Sequence, residues 1–255
     1  MRGKTAFNLI IAVLFVLAWG GNSIGKTPPQ GKMVKYPSDG EMVRGYLVTP
    51  PGKGPFPAVI AIHEWWGLND QIKSTAKRIA SQGYVVLAVD LYRGVATSDP
   101  GEAHELMRGL PEDRALRDML AAERYLKSLP NVNGARIGSI GWCMGGGYSL
   151  TLAINSPDLA ACVIYYGRLV TDTAELGRIK APVLAFFGDR DRGIPPASVH
   201  KFENTLKGMG KEVDARVYPG AGHAFANETR PSYNEAAASD AWARTLGFFA
   251  AHLKK

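Results

Sequence analysis

The chain has 255 residues, of which 46% are hydrophobic and 21% charged, with a formal net charge of +7. That mixture suits a soluble globular protein with a full-sized core, and α/β chains of this length commonly form one domain. Basic residues are scattered among acids, and the densest group, Gly188-Asp189-Arg190-Asp191-Arg192, is itself mixed, which argues against a nucleic-acid-binding stripe.

The first 25 residues differ from the rest. Arg2 and Lys4 precede the apolar run Ala6 to Trp19, broken only by Asn8, and the small-residue stretch Gly20-Gly21-Asn22-Ser23-Ile24-Gly25 follows. This is the pattern of a secretory signal, and the run is short for a transmembrane helix. The expectation is a leader over 1–25, cut after Gly20 or Gly25, and one domain over 26–255. The protein would be exported to a periplasm or the exterior with no stable membrane span; an uncleaved N-terminal anchor is the alternative. Setting aside Arg2 and Lys4, the balance is +5, a mildly basic surface that favours anionic small molecules. Cys143 and Cys162 are the only cysteines, so no disulfide framework is expected.

After Pro28-Pro29, strands are expected over Lys32–Tyr36 and Val43–Thr49, joined as an antiparallel hairpin by Ser38-Asp39-Gly40. From Phe56 the rhythm becomes strand, loop, helix. Apolar strands are read at Phe56–Ile62, Tyr84–Val89, Arg136–Gly141, Ala160–Tyr166, Pro182–Phe187 and Val213–Tyr218. Helices are read at Asp70–Ser81, Glu112–Ser128, Pro196–Lys207 and Tyr233–His252. Strands apolar throughout and alternating with helices imply a mostly parallel sheet covered on both faces, an α/β fold. Ligands in such sheets bind beyond the carboxyl ends of the strands.

One strand end stands out. In Ile137-Gly138-Ser139-Ile140-Gly141-Trp142-Cys143-Met144-Gly145-Gly146-Gly147 a strand runs into a glycine-rich turn and a helix, the setting of a G-x-S-x-G nucleophile with Cys143 in the serine position. Small neighbours on both sides, Gly141 and Gly145, suit a sharp strained turn, and a helix N-terminus favours a thiolate. An ordinary core cysteine at a strand–helix turn remains the alternative. Cys162 lies in the apolar run Leu159–Tyr165, where a buried inert thiol is expected.

A nucleophile needs a base, and the base needs a group to orient it. Of the five histidines, His104, His200 and His252 fall on helices among polar residues and read as surface groups. His223 follows the last strand, in Tyr218-Pro219-Gly220-Ala221-Gly222-His223-Ala224-Phe225, and Asp191 follows the strand before it. Nucleophile, acid and histidine therefore occur in the chain order of α/β-hydrolases. Asp189 competes with Asp191 but is expected to face solvent. The oxyanion would be held by the Met144 amide and by an amide from His63-Glu64-Trp65-Trp66-Gly67, namely that of Trp65. Glu64, an acid at a buried strand end, is either exposed, paired with an arginine, or facing Cys143 across the site, with the thiol as its partner.

Together, His63-Glu64-Trp65-Trp66-Gly67, Val89-Asp90-Leu91-Tyr92-Arg93, Gly141-Trp142-Cys143-Met144-Gly145-Gly146, Gly188 with Asp191 and Pro195, and Gly222-His223-Ala224-Phe225 resemble the dienelactone hydrolase family, in order from about residue 30 to the C-terminus. The resemblance implies a Cys–His–Asp triad of Cys143, His223 and Asp191, an acyl-enzyme, and no metal or organic cofactor. It also implies that Glu64 contacts the resting thiol and couples activation to substrate binding. Tyr92, Arg93 and Phe225 are the residues expected to bind substrate. Family members acting on dienelactone hold its carboxylate with two arginines. Arg93 stands for the first, but the second position is Asn227, with Arg230 three residues further on. A broader hydrolase of small esters or lactones is therefore expected rather than a strict dienelactone hydrolase. A non-catalytic binding protein on the same fold is the alternative; a thiol redox protein lacks a C-x-x-C or resolving partner.

Overall fold

The computed structural model describes residues 29–254; the expected leader lies outside them. The chain begins with β1 (Gly31–Ser38) and β2 (Glu41–Val48), antiparallel and in register from Gly31 opposite Val48 to Ser38 opposite Glu41. This register leaves a two-residue turn, Asp39-Gly40, with φ of 47° and 81°. Glycine adopts such angles without strain and aspartate tolerates them.

The remaining elements are β3 (Phe56–Ile62), α1 (Asp70–Ala80), β4 (Val85–Val89), α2 (Pro100–Arg108), α3 (Glu112–Ser128), β5 (Val132–Trp142), α4 (Met144–Asn155), β6 (Ala161–Tyr165), α5 (Thr173–Gly177), β7 (Val183–Gly188), α6 (Pro196–Gly208), β8 (Val213–Tyr218) and α7 (Glu235–Leu253). One sheet holds the eight strands in the order β1-β2-β4-β3-β5-β6-β7-β8. Strands β1 to β2 and β2 to β4 pair antiparallel, and every later pair is parallel. The mostly parallel α/β sheet expected from the sequence is therefore the observed fold.

The continuous apolar strands have a simple cause: each feeds two cores. Ala58, Ile60, Ile62, Val85, Leu87 and Val89 join the core under α3, α4 and α6, while Val59, Ala61, Val86 and Ala88 join the core under α1 and α7. A fully buried Val or Ile side chain stabilises the fold by about 1.5–3 kcal/mol, so neither face tolerates a polar alternation. Helix α3 presents buried Ala115, Met119, Ala122 and Leu126 to the first core, the i, i+4, i+7 stripe of an amphipathic helix.

Two helices extend the sequence reading. The N-cap of α2 is Asp99, whose carboxylate accepts from the Glu102 N–H at 2.8 Å, with Pro100 at the first helical position. Asp172 caps the short α5 in the same way, accepting from Ala174 and Glu175. Both caps satisfy amides that a helix start leaves unpaired. Among the described residues no helix is long and apolar enough to cross a membrane.

All the strands from β3 to β8 run in one direction, so their carboxyl ends form one edge. Backbone strain gathers there. Of the non-glycine residues with positive φ, Arg93 (56°), Cys143 (54°), Tyr166 (38°) and Ala224 (60°) all follow strands on this edge. Each such conformation costs on the order of 1–3 kcal/mol and persists only where its surroundings impose it.

Candidate active site

The Cys143 turn is imposed by close packing on both sides. Cys143 sits at φ 54° and ψ −118° between β5 and α4. Its amide donates to the Tyr165 carbonyl at 3.0 Å, and its carbonyl accepts from Gly146 at 3.0 Å. A Cβ on Gly141 would collide with the Gly145 carbonyl, and one on Gly145 with the carbonyls of Ile62 and His63. Only glycine lets β5, the start of α4 and the end of β3 approach this closely. The thiol is held, half-buried, at the tip of a strained turn.

His223 lies in the loop after β8. Its Nδ1 is 2.7 Å from Oδ2 of Asp191, in the loop after β7. The other oxygen of Asp191 accepts from the amides of Gly193 at 2.9 Å and Ile194 at 3.3 Å. The carboxylate, 5% exposed, is thus fixed as an acceptor on His223. Burial alone would raise the Asp191 pKa, but His223 and these two amides hold it below the usual value. Burial alone would lower the His223 pKa; hydrogen bonding and charge from Asp191 and Cys143 instead push it up to about 10. Asp189 is exposed, as expected, with Oδ1 accepting from Gly220 at 2.7 Å.

Glu64 is 3% exposed at the end of β3. Its Oε2 accepts from Nδ2 of Asn227 at 2.6 Å and its Oε1 from the Tyr166 hydroxyl at 3.3 Å. These two donors take the place expected for the Cys143 thiol. The amide of Asn227 has one possible orientation, because its Oδ1 accepts from the Thr229 amide and hydroxyl at 3.0 and 2.7 Å, leaving Nδ2 for Glu64. Burial pushes the Glu64 pKa up, against the lowering effects of Asn227, of the charges on His223 and Arg230, and of Tyr166.

Glu64, Cys143 and His223 line a cavity of about 560 Å³, walled by Trp65, Trp66 and Met107. Arg230 also lines it, with its guanidinium 3.6 Å from the centre of the Trp66 ring, a cation–π stack. Trp65 is half-buried at the mouth. Neither the Trp65 nor the Met144 amide donates in the turn, loop and cap hydrogen bonds of the described residues.

None of the three residues expected to bind substrate is among those lining the cavity. Arg93 is turned away from the cavity: its guanidinium lies 2.7 Å from Asp118 and 3.1 Å from Glu41. Phe225 is fully buried, packed against Tyr165, Tyr166 and Tyr218 in the core under α7. Its neighbour Ala224, at φ 60°, turns the chain so that His223 and Phe225 point apart. Tyr92 is buried with its hydroxyl on the Met144 sulfur at 3.2 Å, supporting the turn from beneath. The sequence reading missed Tyr166 and Met107, both of which reach the site region from loops and helices whose partners are distant in the chain.

The other histidines and Cys162 fall mostly where expected. His104 and His200 are exposed; His252 is half-buried, its ring tilted against that of Phe248 with centroids 4.5 Å apart, and lies 3.3 Å from Glu212. Cys162 is fully buried, and desolvation pushes its pKa up to about 11, consistent with an inert thiol.

A mostly parallel sheet, a strained strand–helix turn and an acid and histidine on later strand ends define an α/β-hydrolase. More narrowly, residues 43–253 match the model of the dienelactone hydrolase family, and the chain belongs to that family. A Methylorubrum extorquens protein named "Putative carboxymethylenebutenolidase" is 34% identical over 230 residues, covering 85% of this chain and 79% of the relative. Protein usf of Aquifex pyrophilus is 35% identical over 231 residues, covering 88% and 99%. A crystal structure from Klebsiella pneumoniae titled "Putative Dienelactone Hydrolase" superposes with a TM-score of 0.81 at 29% identity, covering 88% of this chain and 99% of that one. The protein is a hydrolase acting on lactones or esters.

Proposed function

We propose that the protein hydrolyses small esters or lactones through a Cys143–His223–Asp191 triad and a thioester acyl-enzyme. The observation that carries this reading is His223, held 2.7 Å from Asp191 and lining the same cavity as Cys143. A thiolate beside an imidazolium is a ready nucleophile with its proton already stored. The Cys143 sulfur attacks the carbonyl carbon, a C–S bond forms, and the carbonyl π pair moves to oxygen. That oxyanion accepts hydrogen bonds from the Trp65 and Met144 amides. Collapse breaks the ester C–O bond, and the leaving oxygen takes the proton of His223. Water then attacks the thioester, giving a proton to His223, and the second collapse expels the Cys143 thiolate and leaves the carboxylic acid. Asp191 holds the imidazole in one orientation through both halves.

The cavity suggests the substrate class. Its walls are aromatic and apolar, and Arg230 is the one guanidinium among its lining residues. Arg93 is committed to Asp118, and Asn227 is committed to Glu64. A two-arginine carboxylate clamp is therefore not assembled as in the dienelactone pattern. This favours a broader range of small esters and lactones over strict dienelactone hydrolysis. Steady-state assays of aryl esters and lactones with the wild type and Cys143→Ala test the proposal: hydrolysis is expected in the wild type and its loss in the variant. Retained hydrolysis in Cys143→Ala would refute the nucleophile.

A further inference from the structure

His63 is fully buried between the ends of β3 and β4 and does not line the cavity. Its Nε2 lies 3.2 Å from the Leu91 amide and its Nδ1 lies 2.6 Å from the Glu64 carbonyl. A backbone N–H can only donate, so Nε2 is the acceptor, and the ring proton sits on Nδ1 and is donated to Glu64. The same carbonyl accepts from the Gly67 amide at 3.2 Å. This peptide carbonyl belongs to the bond whose other end is the Trp65 N–H. In a planar trans peptide the C=O and the following N–H point in opposite directions. Two donors that fix one therefore fix the other.

The same ring also supports the second amide. It meets the Tyr92 ring edge-on at 4.9 Å, and the Tyr92 hydroxyl touches the Met144 sulfur at 3.2 Å. One buried imidazole thus connects to the supports of both Trp65 and Met144. Burial lowers the His63 pKa, which agrees with a neutral ring that accepts from Leu91.

We propose that His63 is a positioning residue: by holding the Glu64 carbonyl from behind, it aims the Trp65 N–H at the oxyanion formed on the substrate. This rests on the triad reading above. His63 touches neither substrate nor thiol, so it acts on the transition state and not on substrate binding or on sulfur reactivity. An amide displaced by about 1 Å forfeits on the order of 100-fold in rate.

The test compares the wild type, His63→Leu and His63→Asn. The Asn amide nitrogen stands near the place of Nδ1 and keeps the donor to Glu64; Leu removes it. Three quantities are read: kcat and KM for an aryl ester, the affinity of an aryl trifluoromethyl ketone, and the rate of Cys143 alkylation by iodoacetamide. In His63→Leu, kcat should fall about 100-fold with KM within about threefold. Affinity for the ketone, whose adduct carries an oxyanion, should fall in parallel. In His63→Asn both should recover to within about tenfold of wild type. Alkylation, which forms no oxyanion, should be unchanged in both variants. Turnover in His63→Asn no better than in folded His63→Leu, or wild-type turnover in His63→Leu, would overturn the proposal. If His63→Leu fails to fold, His63→Gln, whose amide reaches the place of Nε2 and so keeps an acceptor for Leu91 while losing the donor to Glu64, takes its place: kcat and ketone affinity should fall together with alkylation intact, and wild-type turnover, a loss of alkylation or a rise in KM overturns the role. A wild-type enzyme whose Cys143 is not alkylated, with Cys143→Ala still active, would remove the triad reading and this inference with it.

Discussion

Asn227 donates to the buried carboxylate of Glu64 at 2.6 Å, across 163 positions of sequence. The loop after β8, which carries His223, is thereby tied to the loop after β3, which carries Trp65. The tie matters because Glu64 is nearly sealed from water and needs its donors.

Replacing Asn227 by Leu removes the closer donor and leaves one carboxylate oxygen unpaired. A loss of about 1–3 kcal/mol in unfolding free energy is expected. The folded Glu64 pKa is already raised above its ordinary value, and the substitution raises it further. A raised carboxyl contributes stability that is present below its unfolded pKa and lost as pH rises through the folded value. The deficit of Asn227→Leu should therefore be small near pH 4 and larger at pH 7. Urea denaturation at both values checks this; an equal deficit at both would contradict it.

The raised His223 pKa gives a second pH effect. Its folded value, about 10, exceeds the ordinary histidine value, so its contribution is complete below the unfolded pKa of about 6.5 and declines as pH rises toward the folded value. The stability difference between wild type and His223→Gln should shrink from pH 6.5 to pH 10. Nitrogen-15 NMR of the ring should also show that Cys143→Ala lowers the His223 pKa. An unchanged value would mean that the sulfur does not act on the imidazole.

Gly145→Ala tests the packing of the turn. The added methyl would meet the backbone carbonyls of Ile62 and His63, neither of which is the end of a flexible side chain. Overpacking of this kind costs about 1–3 kcal/mol. Because the displaced backbone adjoins both proposed oxyanion amides, kcat should fall by about 100-fold or more. Thermal melting and ester kinetics on one preparation check both halves. Full activity with an unchanged melt would show that the turn has room to spare.

Much of this was legible in the sequence because its causes are local. The unbroken apolar runs Ala58–Ile62 and Val85–Val89 announce strands covered on both faces, and Asp39-Gly40 announces the hairpin turn. The order of Cys143, Asp191 and His223 follows from motif spacing. What stayed hidden depends on backbone direction and on distant partners. Arg93 and Phe225 adjoin motif residues, yet positive φ at Arg93 and Ala224 turns the chain there, sending one side chain to Asp118 and the other into the core. Asn227 read as a missing arginine, but its carbonyl oxygen on Thr229 leaves its amide for Glu64. Helix α2 went unread, and that Met107 on it reaches the cavity depends on how the helix packs.

The central claim is that Cys143 becomes acylated. Mixing the wild type with an excess of an activated aryl ester, quenching in acid within milliseconds and mapping the peptides by mass spectrometry measures this directly. The account predicts an acyl mass increment on the peptide containing Cys143, lost on treatment with neutral hydroxylamine and absent in Cys143→Ala. An increment on another residue, or turnover with no acylated Cys143 peptide while Cys143→Ala remains active, would contradict it.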